Sequence, residues 1–216
     1  MSFCEHCVKG VIHEGTPTDR GVDSYVATPT VDYPKDKVVL FLPDVFGAQL
    51  INAQLMADAF AENGFKHFRY RKVVPNHGAA QTRPTLDKVI NALKEQGVTI
   101  FGATGYCFGG RYVFDLAFEN IIKAGVVAHP SLLQVPADLE KYFSTSKVPL
   151  LINSCPSQAK ADEIFGDGKF APGYKRNFYE GCTHGFAVRG DMSDPKVKAG
   201  KEGAFKETVE WFIKNL

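Results

Sequence analysis

The chain has 216 residues, 44% of them hydrophobic and 23% charged, which is the balance of an ordinary globular protein; the length fits one domain, residues 1–216, around one core. Its 25 basic and 24 acidic side chains leave a formal net charge of +1 with no basic run, so the electrostatic footprint of a nucleic-acid or membrane-surface binder is missing. No apolar stretch approaches the roughly 18 residues that a membrane span needs. Cys4, Glu5, His6 and Cys7 stand where a signal peptide would carry apolar residues, and five scattered cysteines argue for free thiols rather than a disulfide framework. The expected address is cytoplasmic, and the expected partner is a small molecule.

In chain order, residues 38–42 (VVLFL) form a short apolar run ending at Pro43, the pattern of a buried parallel strand. Residues 51–60 follow with Leu55, Met56, Ala59 and Phe60 at helical spacing, and 65–70 form a weaker strand after Gly64. Residues 85–94 place Leu86, Val89, Ile90 and Leu93 on one helical face closed by Gly97. A strand at 98–103, a helix at 111–118 and strands at 125–128, 148–153 and 174–179 come next. The last helix, 197–213, carries Phe205, Val209, Phe212 and Ile213 as its apolar stripe. Such alternation predicts an α/β protein with a mostly parallel central sheet between two helical layers. Ligands of such sheets bind beyond the carboxyl ends of the strands, so functional residues belong just after Leu42, Ala103, Ala128, Asn153 and Tyr179.

After the strand at 98–103 comes Gly105-Tyr106-Cys107-Phe108-Gly109-Gly110 and then a helix. This is the nucleophile-elbow pattern with cysteine in place of serine. The small residues two before and two after Cys107 permit the sharp turn, and the following helix aims its N-terminal N–H groups at the sulfur. The Phe108 amide then stands where an oxyanion hole takes a donor. Cys155 and Cys182 lack this context and are expected to be ordinary thiols. Cys4 and Cys7 form a CxxC pair with only His6 and His13 nearby, too little for a zinc site, so no metal is expected.

A thiol nucleophile needs a base, which in this architecture follows it in the chain. Of six histidines, His6, His13, His67 and His77 precede the elbow. His129 follows a strand end in Ala128-His129-Pro130-Ser131 and is read as a histidine satisfied by nearby loop groups. His184, in Gly181-Cys182-Thr183-His184-Gly185-Phe186 between the last strand and the last helix, is the expected general base.

Three segments in this order, Leu42-Pro43-Asp44-Val45-Phe46-Gly47, the elbow, and His184-Gly185-Phe186-Ala187-Val188-Arg189-Gly190, resemble the motifs of the dienelactone hydrolase family. His13-Glu14-Gly15-Thr16-Pro17 and Ala128-His129-Pro130-Ser131 resemble its fungal branch. The resemblance implies a three-layer α/β-hydrolase fold, a Cys-His-Asp triad without cofactor, and hydrolysis of an enol-lactone or related ester through an acyl-thioenzyme. It further implies that Asp44 stands against the resting thiol and that the Val45 and Phe108 amides form the oxyanion hole. Arg189 would meet a substrate carboxylate, so an anionic substrate is expected.

The chain departs from the family pattern at two places. The triad aspartate should follow the strand at 148–153, yet residues 154–160 (SCPSQAK) contain no carboxylate, and the next, Asp162, reads as helical. Residues 71–73 also lead almost directly from the strand at 65–70 to Asn76-His77-Gly78, where relatives have a long loop and a helical segment. Three explanations are open: a shortened natural variant, a repositioned acid such as Asp162, or rim segments that the sequence as written omits, in which case the intact mass exceeds 23.8 kDa. The functional alternatives to a hydrolase are a non-catalytic binding protein of the same fold, and a thiol redox protein using Cys107 with Cys4 and Cys7.

Overall fold

A computed structural model describes residues 24–47, 50–70, 79–155 and 159–216. Seven strands, β1 (Ser24–Ala27), β2 (Lys37–Leu42), β3 (His67–Tyr70), β4 (Ile100–Tyr106), β5 (Ala124–Ala128), β6 (Leu150–Ser154) and β7 (Tyr174–Phe178), form one sheet in the order β1-β3-β2-β4-β5-β6-β7. All neighbours pair in parallel except β1 and β3, which run antiparallel. The helices are α1 (Ile51–Glu62), α2 (Ala79–Glu95), α3 (Phe108–Phe118), α4 (Ala137–Thr145), α5 (Lys160–Phe165), α6 (Phe186–Arg189) and α7 (Pro195–Asn215).

The two-residue period of a strand separates the layers. On β2, Val38, Leu40 and Leu42 join one core cluster with α2, α3, α4 and α5, whereas Val39 and Phe41 join the opposite clusters with α1, α6 and α7. A sheet sandwiched in this way reads as continuous apolar runs, which is why β2, β5 and β6 were legible.

Several elements differ from the sequence expectation, which contained neither β1 nor α6. β4 continues to Tyr106, because Thr104, Gly105 and Tyr106 still pair with Phe41 and Val126, Leu42 and Val127, and Ala128. α2 begins at Ala79 rather than 85, with Pro84 inside it; Thr82 is buried one turn before Leu86, and its polarity hid the start of the stripe. α4 was not expected. Only Leu139 and Tyr142 of its apolar residues are deeply buried, and Asp138 is buried at its start against the Arg111 guanidinium and the Gln134 amide.

The packing that positions the site lies at the carboxyl end of the central strands. A Cβ added to Gly109 would stand 1.9 Å from the Leu42 carbonyl oxygen, and one added to Gly105 would stand 2.6 Å from the Gly109 carbonyl oxygen. The backbone of α3 therefore rests directly on the ends of β2 and β4. Gly109→Ala must push α3 off the sheet; the expected cost is about 1–3 kcal/mol or more, read as a lowered urea midpoint with unchanged slope.

Candidate active site

Cys107 occupies the turn between β4 and α3 at φ 49°, ψ −111°, a conformation that costs an L-residue energy and persists only when its surroundings hold it. The loop after β5 does so. The Cys107 amide donates to the Ala128 carbonyl (3.2 Å), and the Ser131 amide donates back to the Cys107 carbonyl (2.9 Å). That loop carries two further residues with positive φ, His129 (39°) and Leu132 (65°), so three of the five such non-glycine residues among the described residues lie together here. The thiol is buried, and its sulfur lies 3.4 Å from the Ser131 hydroxyl oxygen.

Phe108 is the first residue of α3, and its amide N–H, like that of Val45, has no acceptor among the described residues. Asp44 and Arg189, expected at the thiol and at a substrate carboxylate, pair with each other. The Arg189 Nε–H donates to Asp44 Oδ2 at 2.7 Å, with both side chains at most 3% exposed. The other Asp44 oxygen accepts the Phe46 amide at 3.0 Å, and the Phe46 ring lies 4.6 Å under the guanidinium. This pair ties the loop after β2 to α6, which directly follows His184.

His184 is half-buried in the loop after β7, and its ring centroid lies 4.9 Å from that of His129. His129 corrects the sequence reading. It is fully buried, packs against Phe186 and Tyr106, and neither ring nitrogen has a side-chain or neighbouring-loop partner among the described residues. Burial, and then the neighbouring His184 and Arg189, hold its imidazole well below the usual histidine range, so it is neutral. The ordinary position of a histidine after a strand was visible in the sequence; its contact with His184 was not.

Asp162 lies on α5 and is turned to β7. Its oxygens accept from the Tyr174 hydroxyl (2.8 Å) and from the Arg176 guanidinium (Nε, 2.8 Å), which in turn donates to the Ser154 hydroxyl (2.9 Å). Arg176 holds the Asp162 carboxyl below its usual value. These contacts make Asp162 part of an edge network at β7 rather than a partner of His184. Cys155 and Cys182 are buried thiols; burial raises that of Cys182, whose sulfur lies where a Gly200 Cβ would be 2.4 Å away. The CxxC pair with His6 and His13 lies outside the described residues, as do residues 71–78 and 156–158 around the two short segments. Among the described residues no group of three metal-ligating side chains occurs, and no helix is long and apolar enough to cross a membrane.

The sequence model of the dienelactone hydrolase family matches residues 69–216, and the chain is 31% identical to hydrolase tropI of Talaromyces stipitatus over 95% of its own length and 94% of that protein. The chain belongs to the dienelactone hydrolase family. It is 28% identical to hydrolase pyvD of Aspergillus violaceofuscus, covering 97% of the chain and 96% of that protein. The matched range holds Cys107, His184 and Arg189, while Asp44 and Val45 fall before it. These two alignments run to 236 and 247 positions, so the relatives carry stretches with no counterpart in these 216 residues. Among solved structures, a dienelactone hydrolase-like promiscuous phosphotriesterase from metagenomic libraries superposes with a TM-score of 0.59 at 19% identity, over 86% of this chain and 88% of that one. A metagenome-derived lipolytic enzyme, from work on LipS and LipT, reaches 0.67 at 12% identity, over 89% and 98%. The fold is that of the α/β-hydrolases. As a dienelactone hydrolase family member the protein is a carboxylic ester hydrolase acting on small esters or lactones, which leaves the non-catalytic alternative without support.

Two outcomes follow from the ion pairs. Arg189→Met leaves the Asp44 carboxylate buried and uncompensated, with an expected loss of about 3–5 kcal/mol in urea unfolding, and adding Asp44→Leu recovers part of it. Asp162→Asn removes a pair whose carboxylate is half exposed, so the loss at neutral pH is about 1 kcal/mol or less. Because the Asp162 value is lowered by folding, its contribution is complete above the ordinary carboxylate range. It fades as pH falls through the lowered value, so the difference between wild type and Asp162→Asn narrows in acid. Ester turnover stays at the wild-type level if His184 does not depend on Asp162.

Proposed function

We propose that the protein hydrolyses uncharged carboxylic esters or enol-lactones through an acyl-thioenzyme, with Cys107 as nucleophile and His184 as general base. The observation that carries this reading is the thiol at the strained strand-to-helix turn, followed by the Phe108 amide, which has no acceptor among the described residues. His184 takes the thiol proton as sulfur attacks the ester carbonyl, and the Val45 and Phe108 amides receive the developing oxyanion. Collapse of the tetrahedral intermediate expels the alcohol or enol, which takes the proton back from His184. Water, deprotonated by His184, then cleaves the thioester and frees the acid. The thiol is covered in this structure, so substrate must displace what lies over it.

The surroundings favour an apolar acyl group. Beside Ser131 a cleft of about 210 Å³ is lined by Pro130, Leu132, Leu133, Val135, Leu139 and Ile152, with Lys160 at its edge already paired with Glu163. The expectation of an anionic substrate loses its main support, because Arg189 is paired with Asp44 and the two together present no net charge.

Hydrolysis of p-nitrophenyl esters by wild type and by Cys107→Ala, both checked by circular dichroism, tests the reading. The variant is expected to lose about a thousandfold or more in kcat. Wild-type kcat/KM is expected to rise roughly fourfold per methylene from acetate to butyrate, as each buried CH2 contributes about 0.8 kcal/mol. Equal rates in wild type and variant exclude Cys107 as the nucleophile, and a flat chain-length series excludes the apolar cleft as the acyl site.

A further inference from the structure

We infer that His129 is a positioning residue for the catalytic histidine: its uncharged imidazole is the acceptor toward which the His184 ring turns when His184 carries the thiol proton. The inference rests on the preceding assignment of Cys107 and His184. Its own support is geometric. His129 is 0% exposed, and both of its ring nitrogens lack a hydrogen-bond partner among the described residues. A buried polar group left in that condition is costly, so an imidazole without a partner among the described residues calls for a use. The group it packs against is His184, with centroids 4.9 Å apart and rings inclined at 59°. At that separation the two rings are in direct contact. The backbone of His129 is held at φ 39° in the loop that also clamps Cys107, so the residue is anchored beside the elbow.

The charged and titratable groups around His129 decide which form it takes. Tyr106 faces it from β4, His184 from the loop after β7, and the Arg189 guanidinium acts on it from α6, with Asp44 balancing that charge. Neither the buried phenol nor the balanced Asp44–Arg189 pair offers His129 a charge of opposite sign, and burial disfavours its cation. It stays neutral while His184 is protonated, and one of its nitrogens keeps a lone pair. When the Cys107 proton passes to one nitrogen of His184, the N–H on the other is donated to that lone pair. No proton moves to His129, and none is lost: the imidazolium of His184 is oriented and stabilised by a neutral acceptor, in the role a triad carboxylate would otherwise fill. This accounts for a working base in a chain where Asp162, the first carboxylate after β6, is committed to Tyr174 and Arg176.

The test is the pH dependence of ester hydrolysis by wild type, His129→Phe and His129→Gln. The phenylalanine variant keeps the packing and loses the acceptor; the glutamine variant restores an acceptor oxygen. His129→Phe is expected to lower kcat by roughly tenfold to a hundredfold, part of what general-base catalysis contributes, with KM little changed. Its acid limb should move to lower pH, because the His184 cation has lost its acceptor. His129→Gln is expected to recover much of kcat and to return the acid limb toward wild type. Wild-type kcat and an unmoved acid limb in folded His129→Phe overturn the inference. If His129→Phe does not fold, 15N chemical shifts of the histidines in the wild-type protein decide it. A His129 that stays neutral, with one nitrogen shifted as an acceptor while His184 titrates, supports the inference, and shifts that ignore the His184 titration overturn it. Cys107→Ala run alongside separates the two failures: activity retained there defeats the thiol reading itself, whatever His129 does.

Discussion

α3 lies so close to the end of β2 that no side chain fits between them at Gly109, where a Cβ would stand 1.9 Å from the Leu42 carbonyl oxygen. That approach forces the chain to reverse within one residue between β4 and α3, and Cys107 occupies the reversal at a positive φ. Most of what matters at the site follows. The first amide of α3 has no acceptor among the described residues, and the loop after β5 hydrogen-bonds to the turn through both its amide and its carbonyl. Backbone strain of this kind survives only where packing outweighs it, and here the core of both layers supplies that packing.

The second constraint is electrostatic. A carboxylate and a guanidinium, both out of water, join the loop after β2 to α6, so the segment bearing Val45 and the segment bearing His184 keep a fixed relation. A buried pair of this kind adds little net stability, but losing either partner is costly, which suits a brace better than a binding group. The apolar cleft beside Ser131 lies on the other side of the elbow, along the loop after β5.

The elbow and the histidine after the last strand were legible because their chemistry needs particular residues in consecutive positions. The apolar runs of β2, β5 and β6 were legible because a sheet covered on both faces leaves no polar alternation. Elements that rely on polar burial were not: α2 begins with Thr82 in the core, and α4 is anchored through Asp138 and Arg111. At the site, the motifs identified Asp44 and Arg189 as important, but no local pattern reveals that two residues 145 positions apart neutralise each other. His129 was misread for the same reason. Its sequence neighbours suggest an ordinary loop, and its significance lies in a ring brought from 55 positions downstream.

The central claim is that the acyl group is carried by Cys107. Rapid mixing with p-nitrophenyl butyrate, acid quench and peptide-level mass spectrometry measure this directly. A butyryl adduct is expected on the peptide containing Cys107, formed at the rate of the p-nitrophenol burst. An adduct on Ser131, whose hydroxyl oxygen lies 3.4 Å from the same sulfur, or turnover with no adduct at either residue, would contradict it.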